Sequence, residues 1–592
     1  MKKNLKNGFF ALKKRKYTTL EQEKRDENCI FAPKYAQKKK KMKRKLILLP
    51  IIAITLASLF SFSNDSRKYL LSKQLSIFNA IVKELDLFYV DTIQPQKMID
   101  KGIESMLKNL DPYTEYYSEE KADELKMLTT GKYAGIGSVI RYHEKEKTTA
   151  ISLPYKGMPS EKAGLRAGDL ILSIDGTDIK EMKIDSVSNM LRGTAGTIVT
   201  LKIKRPGTKE PMTIKIERAS IAMPAITYYG IHNGNVGYVQ LESFTDGCAK
   251  NMRRAIIELK SKGAETFIID LRGNGGGLLN EAVDIVNLFV PKGETIVTTK
   301  GKIKQANYTY KTEKEPIDTE SPIVILVNGQ SASAAEIVAG SLQDLDRAIV
   351  IGSRTFGKGL VQTTRQLPGG GYLKLTTSKY YIPSGRCIQA LDYSHMLEDG
   401  TSSRIPDSLT NIFHTASGRE VRDGGGIRPD IEPKDDELSA LLLYLLQDVA
   451  LFDYTTNYHL THNSIAPADN FILTDSEYED FKKYLKETKF SYDIQSLKVL
   501  EKLKQMIELE GYTEITKDDI ASLEKKLQAN LDFSLSHFSE YIKEIVESEI
   551  VTRYYGQQGA IIYSLRNDHD IEEACNILAN KEKYKEILTP KR

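Results

Sequence analysis

Two short segments carry the residues best suited to covalent chemistry. In VNGQSASAAEIVAGSLQD, residues 327–344, Ser331, Ser333 and Ser341 surround a small-residue turn and a glutamate. In AIVIGSRTFGKGLVQ, residues 348–362, Lys358 lies between two glycines with strand-forming residues on both sides. A serine hydroxyl attacks a carbonyl carbon when a neighbouring base takes its proton, and a lysine amine is such a base only when neutral. Neutral lysine requires a dry, apolar surround that lowers its pKa, which Phe356, Leu360 and Val361 could supply. Strand alternation running from Lys358 puts Leu360 and Gln362 on the same face, where the Gln362 amide could orient the amine. A third segment, TFIIDLRGNGGGLLNE, runs a buried strand into the loop Gly273–Gly277, four of whose five residues are glycine. Its backbone N–H groups could stabilise charge developing on a carbonyl oxygen.

Each segment also has a plain structural reading. Ser333 and Glu336 fit S-x-x-E, a helix capping box that accounts for both residues without chemistry. The same geometry sets the Ser333 hydroxyl at a helix N-terminus, where partial positive charge favours an oxyanion. The nucleophile elbow G-x-S-x-G is absent, because Gly329-Gln330-Ser331-Ala332-Ser333 lacks the second glycine. A dinucleotide fingerprint starting at Gly273 fails at Leu278, and no GK[ST] follows the loop. Locally, a capped helix and a nucleophile both remain open.

The elements that must position these residues follow from periodicity. After a leader (residues 1–63), an N-terminal helical segment covers 64–115, with apolar residues spaced helically from Arg67 to about Leu110 until LDPYTEYYS breaks the pattern. Residues 116–218 change to short β-rich runs between glycine turns, predicting a strand-rich module of about 100 residues. Residues 219–435 alternate buried strands (TFIIDL, PIVILVN, AIVIGS) with helical patterns, which is α/β patterning. Residues 436–592 are charged and helical, and are expected to pack on the core or to mediate assembly into a homo-oligomer. The fold class is therefore multidomain α/β, with a strand-rich module ahead of an α/β core and a helical C-terminal extension.

In the strand-rich module, GKYAGIGSVI places Gly135 and Gly137 on either side of Ile136, just before a strand. Successive backbone N–H groups in such a turn form a nest suited to a carboxylate, and an extended peptide can then add to the strand edge. With PSEKAGLRAGDLILSIDGTDI downstream, the module resembles a PDZ domain of the bacterial protease type, and Gly135, Ile136 and Gly137 would be its carboxylate loop.

NGQSASAAEIVAGSLQDLDRAIVIGSRTFGKGLVQ, with DLRGNGGG upstream and the PDZ-like block before it, resembles the carboxyl-terminal processing peptidases. The resemblance covers about residues 70–435 and implies a serine endopeptidase with a crotonase-like or ClpP-like core. It implies Ser333 as nucleophile, Lys358 as general base and Gln362 as its support, with the backbone N–H groups of Gly276 and Ala334 as oxyanion donors. FHTASGREVRDGGGIRPDI is similar to the end of the family's catalytic domain. SASAAE stands where S-A-S-A-S-E is commoner, losing a serine that the dyad does not need. Implied partners are proteins or peptides with free C-termini, and no metal or other cofactor is implied. The alternatives are a catalytically inactive PDZ scaffold that only binds peptides, and an acyl-CoA enzyme on a similar glycine-loop core.

Charge narrows the remaining classes. The first 45 residues hold 17 basic and 4 acidic residues, a net of +13 where the whole chain carries +5, so the body is at −8. An acidic body argues against a nucleic-acid groove. The basic leader precedes the apolar run LILLPIIAITLASLFSF, residues 46–62, and Ser61 and Ser63 offer a signal-peptidase site. A start at Met42 would give an export signal of ordinary length; uncleaved, residues 46–62 would be a membrane tether. Both readings export the body to the bacterial periplasm or cell envelope. The four cysteines are scattered with no C-x-x-C, and no H-E-x-x-H is present, so neither a disulfide framework nor a zinc site is expected.

Overall fold

A computed structural model describes residues 66–396, 402–433, 440–492, 495–527 and 531–589. The leader, with the apolar run 46–62, lies outside the described residues, and among those described no helix is long and apolar enough to cross a membrane. The chain divides into two units, 1–101 and 102–592. In the first, residues 66–88 are helical, and Leu71, Leu75, Phe78 and Ile81 are exposed along that helix. The expected single helical stretch to Leu110 is interrupted at 89–94, and a second helix, Pro95–Lys108, starts at a proline, whose fixed φ suits a first helical position.

The strand-rich module is an antiparallel sheet in the order Ser138–His143, Thr148–Pro154, Leu170–Ile174, Ile198–Lys204, Met212–Glu217, with Thr177–Asp178 paired to Leu170–Ile174. Every second residue of Ile198–Lys204 is buried, so Val199, Leu201 and Ile203 face a core with Ile151, Ile171 and Val187. Lys132–Gly135 and Ala219–Ala222 pair antiparallel at the neck of the module. The expected boundary at 116 falls inside a strand, Glu115–Tyr117, which pairs not with this module but with Tyr372–Tyr381.

The core is a five-stranded sheet in the order Ile226–His232, Val236–Leu241, Thr266–Asp270, Ile323–Val327, Ile349–Gly352. The first pair is antiparallel and the other three are parallel. TFIID and IVILV are buried at every position, as parallel strands covered on both faces must be. One face packs on helices Cys248–Ser261, Leu279–Val286 and Ala334–Asp344. The other is covered from the far end of the chain: Ile571, Ala574, Ile577, Leu578 and Tyr584, on helices His569–Ala579 and Lys581–Leu588, pack on Tyr238, Ile268, Val324, Leu326 and Ile351. The helical extension from 436 thus packs back on the core, and its last two helices are the second outer layer.

A second sheet joins Glu115–Tyr117, Tyr372–Tyr381, Thr295–Gly301 and Tyr308–Lys311, with Leu360–Gln366 also paired to Tyr372–Tyr381. Helices Ala440–Gln447, Val449–Thr461, Asp475–Glu487, Leu531–His537 and Ser539–Ser564 form a separate cluster about Phe481, Leu485, Leu535, Val546 and Ile550. This cluster grips the strand-rich module through Phe452, which is buried against Ala150 and Leu170. The guanidinium groups of Arg141 and Arg553 lie 4.9 and 4.5 Å from the Phe452 ring centre, and His143 Nε2 meets Asp453 Oδ1 at 3.0 Å.

Ile577→Ala tests the role of the terminal helices. Removing three buried carbons beneath the sheet is expected to destabilise the whole catalytic unit by about 2–5 kcal/mol, read as a lower Tm in a cooperative melt. An unchanged Tm would show that the sheet does not depend on these helices.

Candidate active site

The strand Ile323–Val327 leads into the turn 328–332 and then into the helix Ala334–Asp344, with Ser333 as its N-cap. The three serines separate by their partners. Ser331 is fully buried, its hydroxyl donating to Leu271 O at 2.7 Å and accepting the Asn328 N–H at 2.9 Å. Ser341, also fully buried, donates to Ile296 O at 3.1 Å. Both hold the fold. Ser333 is half-buried, and its backbone adopts φ 56, ψ −112, a conformation uncommon for a residue with a Cβ. The capping box forms, and its firm half is the Ser333 N–H donating to Glu336 Oε2 at 2.8 Å.

Glu336 does far more than cap. It is completely buried, and Oε2 also accepts the Lys358 N–H at 2.9 Å. Oε1 accepts the Gly357 N–H at 2.8 Å and the Thr355 hydroxyl at 2.5 Å. One carboxylate thus receives four donors from the serine turn and the lysine loop. Burial pushes the Glu336 carboxyl above its usual range, while the hydrogen bonds from Thr355, Lys358, Ser333 and Gly357 pull the other way. The two segments also meet directly, the Phe356 N–H donating to Ser331 O at 3.1 Å, and the Tyr380 hydroxyl donates to Ser333 O at 3.2 Å.

Lys358 carries the electrostatics expected of a base. Burial, with the charge of Lys374 adding, brings its amine down to about 8, against the opposing pull of Glu115, Asp111 and Glu336. Phe356 is not the shield, being 43 % exposed, whereas Leu360 is buried. Among the described residues no hydrogen bond joins Gln362 to the Lys358 amine. The strand begins only at Leu360, so no strand alternation runs from Lys358 to Gln362. Its amide donates instead to the Thr376 hydroxyl at 3.1 Å.

The glycine loop sits against the serine turn. Gly276 has φ 97, and a Cβ there would lie 2.6 Å from Ala332 O and 2.8 Å from Ser333 Cβ, so only glycine allows this approach. The two expected oxyanion donors differ. The Ala334 N–H opens the helix and has no intrahelical acceptor. The Gly276 N–H donates to the side chain of the buried Asn274 at 2.8 Å. In the strand-rich module, Ile136 and Gly137 line a cavity of about 150 Å³ with Ile140, Leu191, Arg192 and Met127. Gly137 has φ 74, and its carbonyl accepts the Ser160 hydroxyl at 2.7 Å. Gly135 lies outside that lining, ending the neck strand.

Comparison with known proteins agrees with this layout. Residues 235–396 match the model of peptidase family S41, residues 151–205 a PDZ domain, and residues 441–578 the C-terminal helical domain of a probable PDZ-protease. The carboxy-terminal-processing protease of Bartonella bacilliformis is 37% identical over 349 residues, 58% of this chain and 79% of that protein. The chain belongs to the carboxyl-terminal processing peptidases. The carboxy-terminal processing protease CtpA of Bacillus subtilis is 34% identical over 59% of this chain and 76% of that one. Among solved structures, the photosystem II D1 C-terminal processing protease matches at 30% identity over 52% of this chain and 82% of that one, with a TM-score of 0.32. Membership makes the chain a C-terminal processing serine protease whose PDZ domain binds peptide or protein substrates. The Glu336 contacts to Thr355, Gly357 and Lys358 link residues far apart in this peptidase, and no local motif points to them.

Glu336→Gln keeps the size but replaces one acceptor oxygen with a donor that meets N–H groups head-on. It is expected to lower stability by about 2–4 kcal/mol and activity by at least tenfold. Gly276→Ala, blocked by the Ala332 carbonyl, is expected to abolish turnover while binding of a C-terminal peptide to the PDZ domain persists. Steady-state kinetics with a melt for each variant, and peptide titration of Gly276→Ala, check both.

Proposed function

We propose that this peptidase is exported and cleaves proteins near their C-termini by a Ser333–Lys358 dyad through an acyl-enzyme. The observation that carries the reading is the buried Glu336 carboxylate, which ties the Ser333 N–H and the Lys358 N–H to a single oxygen. The PDZ domain captures a free C-terminal tail at the Ile136–Gly137 loop and delivers the chain to the dyad.

At the dyad, the neutral Lys358 amine takes the Ser333 hydroxyl proton as Oγ bonds to the scissile carbonyl carbon. The ammonium returns that proton to the leaving amine, giving the acyl-enzyme. Water then attacks the ester with Lys358 again as base. The Ala334 N–H, at the positive end of a helix, stabilises the oxyanion. The Gly276 N–H joins it if it exchanges its Asn274 partner for substrate. Export follows from the basic leader and the apolar run 46–62, which is either removed or kept as a tether.

A tagged substrate with an apolar C-terminal tail tests the dyad against Ser333→Ala and Lys358→Ala, both expected to be inactive. If both cleave like wild type, the dyad is wrong. The pH profile follows from the amine at about 8. Protonated lysine is no base, so kcat/KM is expected to rise tenfold per pH unit below about 8 and level off above it. A profile flat from pH 6 to 9 contradicts the assignment. The N-terminal sequence of the mature protein tests export: a start near residue 64 means cleavage, and an intact leader on membrane-bound protein means a tether.

A further inference from the structure

The Lys358 amine makes no hydrogen bond or ion pair among the described residues. It sits on a ring: Nζ lies 4.1 Å from the centre of Tyr113, over its face. Tyr113 belongs to the turn that ends the N-terminal helical segment, and it is held on several sides. Asp111, itself buried, accepts the N–H groups of Tyr113 and Thr114, each at 2.8 Å. The Tyr113 hydroxyl meets that of Tyr393 at 3.3 Å, and the two rings pack edge to face with centres 6.0 Å apart. The strand Glu115–Tyr117 follows at once and is locked to Tyr372–Tyr381. Gln362, which is not hydrogen-bonded to the Lys358 amine, belongs to the same network: it donates to the Thr376 hydroxyl, and that hydroxyl donates to Asp111 at 3.2 Å.

Resting on the dyad reading above, we propose that Tyr113 is the positioning residue of the catalytic base, its ring face holding the Lys358 ammonium that forms when Ser333 gives up its proton. An aromatic face attracts a cation and not a neutral amine. It therefore favours the species on the product side of the proton transfer: the Ser333 O–H bond breaks, the proton joins the amine, and the oxygen pair goes to the carbonyl carbon. The charged groups around the amine are Lys374, Glu115, Asp111 and Glu336, none within ion-pair distance. Burial, with the Tyr393 hydroxyl adding, pushes the Tyr113 phenol far upward, so the ring stays neutral and is not itself a base. Gln362 supports Lys358 only indirectly, through Thr376, Asp111 and the turn that carries the ring.

The sign of the test follows from the attraction. Losing the ring lowers the Lys358 pKa, because only the charged form was favoured. Tyr113→Leu, apolar and water-excluding, is expected to move the acidic limb of kcat/KM about one pH unit lower, reduce plateau kcat about tenfold and leave KM unchanged. Tyr113→Phe keeps the face and is expected to retain the wild-type limb. A merely structural role would lower activity in Tyr113→Leu with the limb in place, and that result overturns the proposal. Should Tyr113→Leu fail to fold, Tyr113→Met carries the same expectation. Lys358→Ala in the same assay separates the two readings: if it stays active the dyad falls, and if it is inactive while the Tyr113→Leu limb stays put, only the positioning role falls.

Discussion

Glu336 has no solvent exposure, sits one turn into the helix that Ser333 opens, and receives four hydrogen bonds from two segments about twenty residues apart. A buried carboxylate is tolerable only when its lone pairs are occupied, and losing a single donor leaves charge exposed to a medium that cannot solvate it. The serine turn and the 355–358 loop are therefore held to a common origin. The same hydrogen bonds anchor the backbone of Ser333, which sits at a positive φ. Thr355, which donates to Glu336, also accepts the Ile427 N–H at 2.6 Å, extending the restraint to the segment that closes the catalytic domain.

The residue pattern by itself discloses what is local. Uniformly apolar strands identify the parallel core, and the alternation in the PDZ sheet identifies a half-buried antiparallel one. Ser333, Lys358 and the glycine loop stand out by type and spacing, and the fold does bring the glycine loop against the serine turn. What the pattern hides is mostly long-range pairing. Glu336 is legible as a cap because Ser333 is three residues away, whereas its bonds to Thr355, Gly357 and Lys358 depend on tertiary folding. Ile571, Ala574, Ile577 and Leu578 read as an amphipathic stripe, but nothing local says that the stripe covers strands more than 200 residues upstream. Gln362 departs from expectation for a different reason, since the strand that carries it begins only at Leu360 and no alternation runs from Lys358 to it.

The domains are more interdependent than their order suggests. The C-terminal helices supply both an outer layer of the catalytic sheet and the Phe452 plug that seats the PDZ domain. Arg272, next to the glycine loop, contacts Asp270, Asp568 and Asp570 together, so the start of the penultimate helix is joined to the loop beside Ser333. The turn at Asp111–Thr114, which precedes the PDZ domain in the chain, reaches Lys358 instead of its sequence neighbours. Catalytic geometry here draws on segments before, within and after the matched peptidase region.

In the proposed mechanism a neutral Lys358 activates Ser333 alone among the serines of its turn. The most direct measurement is the rate of covalent labelling by a fluorophosphonate as a function of pH, with the modified residue located by mass spectrometry. A single adduct on Ser333 is expected, forming tenfold faster per pH unit up to about 8 and not at all in Lys358→Ala. An adduct on Ser331 or Ser341, or a Ser333 rate independent of both pH and Lys358, would contradict it.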